Sequence, residues 1–178
     1  MMEDVLSGGT GSVGVTDGPA LYIPGPGVDV NRKPCRLTVT LLTVYYGGDN
    51  IGSEWRYEIS VNAAQWLSGQ RILYWGTWNH VGELIYEEVL EGGCGSTILV
   101  TIDIRARERN WHIFDDIGDG SYITMWPCLE EPSARRVVIL VPVPEYLGRL
   151  CRCLFRKHRK GALLYFVFGV GAQCVAKE

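Results

Sequence analysis

Five carboxylates in two short stretches are the side chains best suited to chemistry. Asp49 and Glu54 lie in GGDNIGSE beside Asn50, and Asp115, Asp116 and Asp119 stand among Gly118 and Gly120 in DDIGDG. Calcium takes six to eight oxygens, commonly from carboxylates on neighbouring loops. These residues could therefore form one calcium site if a single end of the fold gathers both stretches. Asp, Asn and Gly also make hydrated turns without any ligand, so both readings stay open.

A second group is cationic. Arg149, Arg152, Arg156, Lys157, Arg159 and Lys160 follow one another with no acidic residue between them, whereas the rest of the chain holds 11 basic residues against 20 acidic ones. The chain is an acidic body with one concentrated basic segment. Leu150, Cys151, Cys153, Leu154 and Phe155 are interleaved with those charges. That mixture suits an anionic membrane surface, at about 1 kcal/mol per basic residue near the lipid, or an acidic protein partner. Cys151 and Cys153 fit acylation sites in that setting. Nucleic acid phosphates are a less favoured partner, and a solvated loop that balances the acidic body is the bland alternative.

Catalytic constellations are weak. His80, His112 and His158 are scattered, and GxSxG, HExxH and Cys–His patterns are missing. His112 near Glu108 and Asp115 could exchange protons, but between Trp111 and Ile113 it reads as a structural side chain. Gly9 to Gly14 matches GxGxxG, yet no strand precedes it, and Pro19, Pro24 and Pro26 oppose the helix that should follow. Trp75 and Trp78 could stack on a sugar, with core packing the preferred use. The six cysteines include no CxxC pair, which argues against zinc and for buried free thiols.

The elements that would position these groups are strands. Ile98, Val100, Ile102 and Ile104 alternate with Thr101, Asp103 and Arg105, the period of a half-buried strand. Trp55, Tyr57, Ile59 and Val61 alternate with Arg56, Glu58 and Ser60 in the same way. RLTVTLLTVYY reads as a central strand, RVVILVPVP as an edge strand because of Pro142 and Pro144, and ALLYFVFGVGAQCV as a final strand. Ala63 to Leu67 reads as a helical turn, and Tyr122 to Trp126 as a short strand. The expected fold is all-β, an antiparallel β-sandwich of about eight strands, C2-like or jelly-roll. Residues 1–33, with seven Gly and three Pro, are expected to form a flexible arm, and residues 34–178 the sandwich domain.

Two of these stretches resemble the C2 domain, the calcium-and-lipid-binding sandwich. In that family two loops at one end hold calcium, and an Asp-x-Ile-Gly segment closes the later loop. Asp115 to Gly118 looks like that segment, and Glu54 falls where the earlier loop carries an acidic ligand. The resemblance implies a calcium-assisted contact with lipid. Arg107 and Arg109 depart from it, since they stand where the family places two aspartates and would oppose a cation.

The functional expectation is a non-enzymatic binding module that uses loops at one end of the sandwich, with calcium or the basic segment mediating contact. A structural jelly-roll subunit that self-assembles as a homo-oligomer is the alternative. The first residues carry neither a basic start nor an apolar run, so a cytoplasmic or peripheral membrane location is expected.

Overall fold

The computed structural model describes residues 22–23, 32–109, 115–145 and 161–176. Ten strands are present among them and no helix: β1 (Tyr22–Ile23), β2 (Cys35–Gly48), β3 (Glu54–Val61), β4 (Ala64–Leu67), β5 (Arg71–Ile72), β6 (Trp78–Leu90), β7 (Thr97–Glu108), β8 (Asp116–Pro127), β9 (Ser133–Pro144) and β10 (Gly161–Cys174). Period-two burial decides how they layer. On β3, Trp55, Tyr57, Ile59 and Val61 are buried, as are Ile98, Val100, Ile102 and Ile104 on β7. Their intervening polar residues point away from the core.

All pairing between strands is antiparallel. In one sheet β7 lies between β8 on one side and β3 with β1 on the other, and β4 and β5 extend β3. The second sheet runs β6-β2-β10-β9. The two stack as a β-sandwich around one core, in which Tyr57 meets Phe166 edge-on with ring centroids 5.1 Å apart. β9 is the edge strand that its prolines require, and β2 is central.

The sheets meet most closely where β8 passes β9. A Cβ on Gly118 would lie 2.3 Å from the Pro142 carbonyl oxygen, and one on Gly120 would lie 2.8 Å from a Val141 methyl. Glycine is the residue that lets two backbones approach this far.

Three expectations are corrected. Residues 64–67 form strand β4, not a helical turn. Asn62 and Ala63 take φ of 47° and 68°, the two-residue turn that folds one strand back on another. β8 starts at Asp116, so Asp116 and Asp119 sit on a strand and not in a loop. Its ladder continues in register to Glu108↔Asp116, because Gly118 and Gly120 let β8 lie against β9. Four cysteines are also paired, not free. Cys35 joins Cys128 and Cys94 joins Cys174, across 93 and 80 residues of sequence. Separations this long carry no spacing signature, since only the folded sandwich brings the partners together. Cys151 and Cys153 lie outside the described residues. So does the expected N-terminal arm, apart from Tyr22–Ile23, which pairs with Thr97 and Ile98, and residues 32 and 33.

The disulfides staple the end where β2 begins and β10 finishes. Closing a loop of this length removes about 4 kcal/mol of unfolded-chain entropy in the simplest treatment. Replacing Cys35 and Cys128 by Ala should cost about 2–5 kcal/mol, read as a lower urea midpoint. Peptide mapping without reductant should recover the two cross-linked pairs, and free thiols at Cys35, Cys94, Cys128 and Cys174 would contradict the pairing.

Candidate functional site

The opposite end of the sandwich collects the groups that could do chemistry. The β2–β3 loop (49–53), the stretch 73–77 before β6, the β7–β8 connection and the β9–β10 connection all leave there. Gly161 pairs with Pro144, so both flanks of the β9–β10 connection stand side by side. Asp49 secures them: its amide donates to the Gly161 carbonyl and its Oδ2 accepts from the Gly161 amide, both at 2.9 Å. The basic residues Arg149 to Lys160 belong to this connection. They lie outside the described residues, as does His112, but the connection springs from the acidic end.

The five carboxylates read from the sequence are not one cluster. Asp49 is committed to Gly161. Asp119 is exposed on the outer face of β8, where Arg105 Nε donates to its Oδ1 at 2.8 Å. Asp115 is half-buried, with Arg107 Nη1 3.8 Å from its Oδ2. Glu54 opens β3 and its carbonyl accepts from the Arg109 amide at 2.9 Å. Asp116 alone is fully buried, at 1% exposure.

Its cross-strand partner is Glu108, 3% exposed. Glu108 Oε2 is buried and meets no hydrogen-bond partner among the described residues; nor does Nε1 of Trp55, which faces Glu108 across the β3–β7 ladder. Gly52 covers the carboxylate so closely that a Cβ there would fall 1.7 Å from Glu108 Oε1. Loop 49–53 is held in place by Tyr46, whose hydroxyl accepts from the Ile51 and Gly52 amides at 2.8 and 3.3 Å. Burial pushes the Glu108 carboxyl up to about 7, with the nearby charges of Asp116, Asp115 and Glu54 adding to the effect. Burial also raises the Tyr46 hydroxyl. The sequence named Glu108 only as a proton-exchange partner of His112, not as a buried acid. Counting by two from Ile98 through Ala106 places it on the buried face, and an acid at such a position was the available signal.

Calcium can be tested against this arrangement. Two buried carboxylates, of which Glu108 keeps Oε2 without a partner among the described residues, fit its preference for hard oxygen donors. Their number falls short of a full shell. Among the described residues the one trio of Cys, His or acidic groups whose ligand atoms lie within 4.8 Å of one another is Cys94, Glu130 and Cys174, and there the sulfurs are joined to each other. Glu108 and Asp116 form a buried acidic pair, with the charges of Asp115 and Glu54 near enough to act on Glu108.

The rim beside this pair has mixed charge. Glu54, Arg56, Gln70, Arg107, Arg109 and Asp115 line a depression of about 310 Å³. Tyr74 and Trp75 are exposed on the neighbouring stretch, where the Trp75 indole donates to the Gly48 carbonyl at 2.9 Å.

No family model and no curated protein matches the chain. Among solved structures a C2 domain is similar, with 10% identity over 78% of this chain and 98% of that chain and a TM-score of 0.28. No helix among the described residues is long and apolar enough to cross a membrane.

The raised carboxyl makes stability depend on pH. Folded chains hold the Glu108 proton up to about pH 7, whereas unfolded chains release it near 4.5. Between those values the folded state binds more protons, so stability falls as pH rises through the window. Glu108→Gln, in chelator, should flatten that decline, melting above the parent near pH 8 and with it near pH 5. An unchanged slope would contradict the assignment.

Proposed function

We propose that the chain is a non-enzymatic binding module that presents its loop end to an anionic lipid surface. The observation that carries this reading is the common origin of the acidic loops and the basic connection, pinned together by Asp49 and Gly161. Six cations on one connection attract an anionic surface by about 1 kcal/mol each. Tyr74 and Trp75, exposed at the same end, have the apolar body and polar edge that suit a headgroup layer. Two disulfides belong to an oxidising compartment, so the surface is met outside the reducing cytosol.

Cosedimentation with phosphatidylglycerol vesicles tests the proposal. Binding should persist in chelator and fall steeply as salt rises toward about 1 M, where charges are screened beyond about 3 Å. Replacing Arg152, Arg156, Lys157 and Arg159 by Ala should abolish it. Binding that survives those changes, or none at all, overturns the reading.

The bare oxygen of buried Glu108 favours a second reading, in which a calcium ion bound by Glu108 and Asp116, with Glu54 and Asp115 at the rim, stiffens the loop end. A saturating ligand at 100 times its Kd adds about 2.7 kcal/mol to folding. Calcium should then raise the melting temperature of the parent and leave Glu108→Gln unmoved. A parent that does not respond to calcium removes this reading and leaves the lipid reading intact.

A further inference from the structure

The two outer faces of the sandwich differ in kind. The outer face of the β7 sheet is charged, with Arg56, Glu58, Asp103, Arg105 and Asp119 on it. The outer face of the β2 sheet has no charge across its centre. From Leu37 to Gly48 on β2, and along all of β10, there is not one ionisable acid or base other than tyrosine and cysteine. Those two strands are uncharged on both faces: β2 turns Thr38, Thr40, Thr43 and Tyr45 outward, and β10 turns Leu163, Tyr165 and glycines outward. The core covers one.

The other face carries a tilted aromatic row. Tyr45 lies between Trp78, at 5.0 Å, and Tyr165, at 5.9 Å. Leu140 continues the row at 46% exposure, and Val138 and Leu84 flank it at 55% and 53%. Because the ring planes are inclined by 48° and 59°, the row is not the flat platform that stacks on a sugar. It is a ridged apolar surface, suited to interdigitation with another sheet.

We propose that this face binds a second copy of the same chain, sheet against sheet. Size and charge both point to that occupant. Four strands spaced about 4.8 Å apart, over some eight residues rising about 3.3 Å each, give roughly 500 Å² of face. Two copies therefore cover about 1,000 Å² before side-chain relief is added, which reaches the size of specific interfaces. On this outer face the edge strands carry opposite charge: Glu87 on β6, which Arg36 of β2 also engages at 3.2 Å, and Arg136 on β9. A two-fold axis parallel to the strands lays each copy's β6 over the other's β9. Glu87 of one copy then falls one step along the ladder from Arg136 of the other, and Trp78 faces Leu140. An axis across the strands would set β6 on β6, acid against acid. Self-complementarity of this kind is what a closed two-fold contact requires.

The inference is independent of the lipid reading, which concerns the sandwich's end and not its face. Sedimentation velocity of the full chain at about 100 µM tests it. The parent should run as a dimer, and Val138→Asp should run as a monomer with an unchanged β-sheet circular dichroism spectrum. If Val138→Asp does not fold, Leu84→Glu on the edge strand decides in the same way. Arg136→Glu should weaken the dimer about tenfold, and adding Glu87→Arg should restore it. A monomeric parent, or a dimer indifferent to Val138→Asp and Leu84→Glu, overturns the proposal. A double charge variant that fails to reassociate overturns the parallel axis.

Discussion

The close passage of β8 across β9 is the constraint on which the functional end depends. Gly118 and Gly120 remove the side chains that would hold the two backbones apart. Without that approach β8 would not run in register with β7 as far as Asp116, and Glu108 would have no buried partner. The same contact sets the start of β8, with Asp115 and Asp116, beside the end of β9. Asp49 completes the arrangement by tying the β2–β3 loop to Gly161. The far end is closed covalently by two disulfides, so the loop end is where the fold has freedom to respond to a ligand.

Electrostatics at that end are layered. A buried carboxyl pair sits beneath Gly52 and Tyr46, and a rim of Arg and acidic groups lies beside it. Burial and like charge make the Glu108 carboxylate costly above neutrality. A proton relieves that cost, and so does a divalent cation. Arg107 and Arg109 act in the other direction, since the Arg107 guanidinium already engages Asp115. On the calcium reading proposed above, the inner pair is the part of this end that would take up the cation.

The fold was largely legible because period-two patterning reports a half-buried strand directly. Trp55 to Val61 and Ile98 to Ile104 place their side chains as the alternation requires. The site was legible only in part. Asp116 was found as part of an acidic motif, but Asp119 was grouped with it although three positions along a strand puts its side chain on the opposite, exposed face. Reading DDIGDG as a loop hid that distinction, because glycines signal turns more often than close sheet contact. Glu108 was read only as a proton partner of His112, since it looks like part of a charged run, RARER, and not like the last inward residue of β7. The disulfides were out of reach, because the pairing of Cys35 with Cys128 depends on tertiary proximity. Asn62 and Ala63 similarly turned an apparent helical turn into a hairpin by adopting positive φ.

The central claim is that the loop end, with its acidic base and basic connection, is one contact surface. Hydrogen–deuterium exchange of the full chain, with and without phosphatidylglycerol vesicles, measures this most directly. The account predicts added protection in residues 49–53, 73–77 and 145–160, with the outer face of β3 and β7 unchanged. Protection confined to that outer face, or no protection at the loop end, would contradict it.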